Sequence, residues 1–108
     1  MGMVIKRFDI FLIQLDPTIG SEIKKTRPCV IVSPDEMNGL NTVLIAPMTT
    51  KGFTAPSRVN LQFQNKTGLI LLDQLRSVDK SRLIKKLGTV DAKTQRLISA
   101  TLVSMFEF

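Results

Sequence analysis

The sequence contains no histidine, tryptophan or tyrosine, and only one cysteine, Cys29. Without imidazole there is no His acid or base, no Ser-His-Asp triad and no His-ligated metal. A single thiol excludes an intramolecular disulfide and every multi-cysteine zinc site, and it suits a reducing cytoplasm. Cys29 stands in Pro28-Cys29-Val30-Ile31-Val32, where a buried apolar thiol is expected rather than a nucleophile. Long hydrophobic runs are also missing, with nothing approaching the ~18 residues of a spanning helix. No basic segment followed by an apolar stretch opens the chain. Gly2 follows Met1, but Lys6 stands where a myristoylation signal carries Ser or Thr. The expectation is a cytoplasmic protein with no membrane partner.

What is present fits one domain over residues 1–108, with 44% hydrophobic residues to build a modest core. Fifteen Lys and Arg against nine Asp and Glu leave a net charge of +6. That balance favours a polyanionic partner such as nucleic acid or an acidic protein, and it equally fits a soluble basic surface.

Several short segments read as strands and one longer terminal segment as a helix. Asp9 to Leu15 alternates weakly and ends in the turn chemistry of Asp16-Pro17 and Gly20. Pro28 to Val32 and Thr42 to Met48 are β-branched runs whose prolines, Pro28, Pro34 and Pro47, predict half-buried or edge strands. Val59, Leu61 and Phe63 alternate with Asn60, Gln62 and Gln64, the period of a strand with one wet face. Leu69-Ile70-Leu71-Leu72 is apolar on both faces and predicts a place inside the sheet. Asp79 to Leu83 reads as one helical turn and Lys85 to Thr89 as a returning strand. From Asp91, an expected N-cap, Leu97, Ile98, Leu102, Val103, Met105 and Phe106 recur at helical spacing. The fold class is mainly β with α (α+β): a small, strongly curved sheet or barrel closed by a C-terminal helix.

Three stretches hold the chemistry. Gly20-Ser21-Glu22-Ile23-Lys24-Lys25-Thr26-Arg27-Pro28 is either a solvated charged loop or a site. Pro28 biases Arg27 to an extended backbone, so its guanidinium projects from the start of a strand. Thr49-Thr50 ends another strand, where hydroxyls cap turns. Arg27 and Thr49 reach one rim only if their strands are neighbours. Arg76, Lys80, Arg82, Lys85 and Lys86 form the densest positive stretch, suited either to a phosphate backbone or to solvent. Phe53, in a Gly-containing loop, is the exposed aromatic available for stacking on a base.

Taken in order, Asp9-Ile10, Leu15-Asp16-Pro17, Gly20-Ser21-Glu22, Arg27-Pro28, Ala46-Pro47-Met48-Thr49 and Leu71-Leu72-Asp73-Gln74-Leu75-Arg76-Ser77-Val78-Asp79 resemble the MazF/PemK family of toxin endoribonucleases. The resemblance spans nearly the whole chain. It implies a Src-homology-3-like β-barrel with a C-terminal helix, a homodimer, and sequence-specific cleavage of single-stranded mRNA without a metal or other cofactor. It implies Arg27 and Thr49 as catalytic residues, with Ser21 and Glu22 shaping the site and Gln74 and Arg76 as substrate contacts. Lys24, Lys25 and Phe53 join them as RNA-binding candidates. It also implies an acidic antitoxin, with operator DNA reached only through that antitoxin.

The chemistry suits a chain without histidine. RNA carries its own nucleophile, a 2′-hydroxyl that can attack the adjacent phosphorus, so the protein need only orient it, move protons and stabilise charge. A guanidinium is a poor general base, which leaves Glu22 either as that base or as an orienting partner for Arg27. Phe8 departs from the family, which usually has Gly before the Asp. If that backbone has positive φ, Phe8 adds strain; otherwise it joins the core. The alternative function is a non-catalytic module: a gyrase poison on the same fold, or an RNA-binding repressor. Gyrase-poisoning relatives use a C-terminal Trp, and this chain ends Met105-Phe106-Glu107-Phe108.

Overall fold

Asp16, Pro17 and Gly20 break the first apolar run, and the chain returns so that β1 (Asp9–Gln14) pairs antiparallel with β2 (Thr26–Ile31). β3 (Thr42–Thr49) flanks β2, and β4 (Arg58–Phe63) and β5 (Lys66–Leu71) form a hairpin. β6 (Arg76–Asp79), β7 (Leu83–Thr89) and α1 (Ala92–Phe106) follow. In this computed structural model, which describes residues 3–107, the sheet runs β4-β5-β3-β2-β1-β7, with β6 paired to β3 off that path. Met1, Gly2 and Phe108 lie outside the described residues, and with them the readings of Gly2 and of the last residue.

The weak alternation of the first strands has a physical cause: they are buried on both faces. Ile10, Val30 and Ala46 face one core with Val59, Leu61, Ile70, Leu72 and Ile98. Their neighbours Phe11, Ile13, Cys29, Ile31, Val43 and Ile45 face a second core with Val78 and Leu83. The half-buried or edge placement expected for Pro28–Val32 and Thr42–Met48 is therefore wrong; both runs lie inside the sheet. Pro47 is tolerated there because β3 changes partner around it. On one side, Thr42 to Ile45 pair with β6, whereas Met48 and Thr49 pair with β5. A residue without an N–H falls in the gap between two ladders.

Other expectations hold. β4 buries Val59 and Leu61 and leaves Asn60 and Gln62 wet. β5 lies between β4 and β3. A short 3-10 turn at Lys80–Arg82 is capped by the Asp79 carboxylate, which accepts from the Ser81 N–H at 2.8 Å.

The curled sheet brings its two ends together. A Cβ at Gly88 of β7 would stand 3.1 Å from the Phe63 ring of β4, so any side chain there would press on that ring and require it to shift by a few tenths of an ångström. The helix covers one core with Thr94 and Ile98, helped by Leu102. Leu97, Val103 and Phe106 point outward, so less of the apolar set is core than its spacing suggests. Asp91 occupies the N-cap position without a side-chain hydrogen bond. Phe8 has a φ of 72°, the conformation that favours glycine, and its ring still packs against the first core.

Candidate functional site

Arg27 and Thr49 stand on neighbouring antiparallel strands, since Cys29 of β2 pairs with Pro47 of β3. Together with Pro28, Met48, Thr50, Leu61, Phe63, Gln64, Lys66 and Gly68 they line one open concavity of about 250 Å³. Arg27 is half-buried, and its Nε donates to the Lys24 carbonyl at 3.3 Å, while its other guanidinium nitrogens make no hydrogen bond or ion pair among the described residues. The Thr49 hydroxyl accepts from the Lys51 N–H at 3.1 Å, the capping role its position predicts, while remaining on the concavity wall.

A second concavity of about 360 Å³ adjoins the first across β3, lined by Leu15, Ser21, Glu22, Ile23, Pro47, Asp73, Gln74, Leu75 and Arg76. The Gly-Ser-Glu loop that walls it is fixed from two directions. Glu22 accepts from the Ile19 N–H at 2.6 Å, closing the loop on itself. Gln74 reaches across from beyond β5: its Oε1 accepts from the Ile23 N–H at 2.8 Å, and its Nε2 donates to the Ser21 carbonyl at 3.4 Å. Gln74 is thus first a fastener of the loop. Arg76 donates to the Leu15 carbonyl at 3.2 Å and holds the end of the segment that follows β1.

The structure separates two groups that the sequence left adjacent. Glu22 lines the second concavity, and among the described residues it makes no ion pair with Arg27. Lys24 and Lys25 are exposed on the connecting loop and line neither concavity. Lys25 has a φ of 69°, and its carbonyl accepts from the Leu15 N–H at 2.9 Å.

Phe53 is 70% exposed on the loop after Thr49. The Arg58 guanidinium lies over its ring, 4.4 Å from the centroid, and Asp73 grips that guanidinium at 3.0 and 3.1 Å. The Arg58 hydrogen bond, ahead of its charge, holds the Asp73 carboxyl below the usual carboxylate range.

The dense positive stretch is largely tied to the protein. Arg82 donates to the carbonyls of Gln14 and Asp16, Lys80 to that of Asn38, and Lys86 pairs with buried Asp9 at 3.3 Å. Burial pushes the Cys29 thiol up to about 12, against the opposing pull of Arg76, so it is no nucleophile at neutral pH. Among the described residues, no three His, Cys, Asp or Glu side chains come together as a metal-binding group. No described helix is long and apolar enough to cross a membrane.

Residues 6–106 match the family model of the PemK-like, MazF-like toxins of type II toxin–antitoxin systems. The chain belongs to that family. Endoribonuclease EndoA of Bacillus subtilis (strain 168) is 31% identical over 96 residues, covering 82% of this chain and 83% of EndoA. The fold agrees with crystalline MazF from Deinococcus radiodurans, with a TM-score of 0.84, 25% identity, and 98% and 99% of the two chains covered. It also matches a mycobacterial endoribonuclease solved with its cognate antitoxin, with a TM-score of 0.78, 23% identity, and 94% and 93% covered.

Within this PemK/MazF-family chain, Lys66, Phe63 and Gly68 are among the lining residues of the first concavity that the sequence reading did not assign to a site. Lys66 adds a second cation beside Arg27, following a two-residue turn in which Gln64 and Asn65 both have positive φ. Phe63 supplies an apolar wall, and Gly68 leaves β5 bare where it passes Thr49. Asn65 in the turn was the only local signal; the rest depends on strand pairing.

Proposed function

We propose that this toxin is a metal-independent endoribonuclease that cuts single-stranded RNA by attack of the substrate's own 2′-hydroxyl. The observation that carries the reading is that Arg27 and Thr49, distant in sequence, line one concavity open enough for a phosphodiester. Arg27 grips the scissile phosphate with the nitrogens its Lys24 contact leaves available, stabilising the pentacovalent transition state. The 2′-hydroxyl proton leaves to solvent water in the open concavity as the new P–O bond forms, and Arg27 assists proton transfer to the 5′-oxygen as the P–O5′ bond breaks. Thr49 hydrogen-bonds a non-bridging oxygen or the attacking hydroxyl. Ser21, Glu22, Gln74 and Arg76 line the neighbouring concavity, where flanking nucleotides would lie. Glu22, whose carboxylate accepts from the Ile19 N–H, shapes that neighbouring concavity rather than orienting Arg27.

The products are a 2′,3′-cyclic phosphate and a 5′-hydroxyl, and cutting of mRNA would halt translation. The working unit is a cytoplasmic homodimer of one-domain subunits. Its control is an acidic antitoxin, a reading supported by the +6 charge and by the antitoxin complex of the mycobacterial relative. Operator DNA is met only through that partner.

The test is incubation of wild-type and Arg27→Ala protein with a long single-stranded RNA in EDTA, followed by mapping of the ends. Discrete cuts leaving 5′-hydroxyls, reduced on the order of 100-fold or more by Arg27→Ala, are expected. Cutting that survives replacement of the 2′-hydroxyl by hydrogen would remove the internal nucleophile. Binding without cleavage by wild type would replace the enzyme with a binding module.

A further inference from the structure

Phe53 is the most exposed large aromatic ring near the two concavities, yet it is not loose. One face of the ring is covered by the Arg58 guanidinium, which is held by three hydrogen bonds: Nε and Nη2 to the two oxygens of Asp73, and Nη1 to the Phe53 carbonyl at 3.1 Å. The Ser57 hydroxyl also donates to Asp73, at 3.3 Å. The Arg58 side chain is only 11% exposed. A loop that would otherwise swing is thereby fastened at its tip, with the aromatic face opposite Arg58 turned to solvent.

The platform also stands in the right place. A side chain added at Gly52, the residue before Phe53, would come within 4.0 Å of the Thr49 methyl group and 3.5 Å of the Arg58 Nη1. Asp73, which holds Arg58 from below, belongs to the wall of the second concavity. Phe53 itself lines neither concavity, but its loop begins at Thr49 in the wall of the first and its Arg58 backing is held by Asp73 in the wall of the second, so the ring stands beside both.

We propose that Phe53, backed by the Arg58–Asp73 pair, is a stacking platform for a nucleotide base next to the scissile phosphate. The proposal rests on the RNA-cleaving reading and names the subsite that holds a base there. Base–aromatic stacking tolerates any base, because each has a π-face. In a chain without Trp or Tyr, Phe is the only side chain that offers an uncharged aromatic face. The charge of Arg58 is matched by Asp73, so stacking here works without neutralising a phosphate. Its contribution to affinity is accordingly insensitive to salt, whereas abolishing one phosphate interaction with a single strand flattens the salt slope by roughly 0.7.

The absence of tryptophan supplies the probe. Phe53→Trp is the sole indole in the chain and reports stacking directly by quenching of its emission. The ligand is a mixed-sequence single-stranded RNA with 2′-fluoro sugars, which keeps bases and phosphates but has no nucleophile. Phe53→Trp is expected to bind as tightly as wild type with quenched fluorescence. Phe53→Ala and Phe53→Leu are expected to bind on the order of 10- to 100-fold more weakly with an unchanged salt slope. Full affinity in Phe53→Ala, restored affinity in Phe53→Leu, a reduced slope in Phe53→Ala, or unquenched Trp emission at saturation would each overturn the platform. If wild type still cleaves RNA in that case, the platform alone fails. A wild type that neither cleaves nor binds RNA overturns the platform together with the RNA-cleaving reading.

Discussion

Gly68 of β5 faces the backbone of Thr49 so closely that a Cβ there would stand 2.8 Å from the Thr49 carbonyl oxygen. Separations that short are repulsive, so any side chain at position 68 drives the end of β3 aside. Both residues belong to the concavity that holds Arg27. Gly68 is thus a positioning residue: its bareness sets where Thr49 stands.

Gly68→Ala is expected to displace the Thr49 backbone by about half an ångström and to lower kcat on the order of 10- to 100-fold with little change in KM. Single-turnover cleavage and substrate binding measured side by side check this. Equal losses in both would mean that the substitution disrupts the sheet rather than the placement of one hydroxyl.

Phe8 inverts the usual ranking of alanine over glycine. At a φ of 72° an L-residue is strained by roughly 1–2 kcal/mol, and Phe8 offsets this by packing its ring against the core. Phe8→Ala removes the ring and keeps the strain, whereas Phe8→Gly removes the ring and the strain together. Phe8→Gly is therefore expected to be more stable than Phe8→Ala by about 1 kcal/mol. Urea midpoints of the two variants decide it, and the opposite order would show that the backbone there relaxes.

The Arg58–Asp73 pair carries a pH signature. Its hydrogen bonds depress the Asp73 pKa in the folded state. Stability from a depressed carboxylate is present above the unfolded value of about 3.9 and is lost as pH falls through the lower folded value. Wild type is expected to exceed Asp73→Asn in urea midpoint at pH 7. Because the Asp73 side of the pair is 34% exposed, the gap is at most about 1 kcal/mol. The gap is expected to close below about pH 4. A gap that persists at roughly pH 2.5 would assign the effect to packing.

What the sequence made legible followed the length scale of each signal. The alternation of Val59, Leu61 and Phe63 is visible because β4 has one wet face, and the Arg27-Pro28 pair marks a strand start by local sterics. The run from Thr42 to Met48 misled because its hydrophobicity comes from burial on two faces, and because Pro47 is excused by a change of partner that only tertiary pairing creates. Gly68 and Phe63 belong to the site for the same non-local reason. Glu22 shows the converse: nearness to Arg27 in sequence did not place the two side chains together, since the loop turns the carboxylate onto the Ile19 N–H.

Gln74 restricts which replacements its own position can accept. Its amide is used in both senses at once, the oxygen receiving from Ile23 and the nitrogen giving to Ser21. Glutamate would set a negative oxygen against the Ser21 carbonyl, and asparagine is one methylene too short to span the gap. The loop is free to vary in its outward side chains while this spanning amide stays fixed. A toxin built this way can exchange the outward side chains of this loop without rebuilding the frame that presents them.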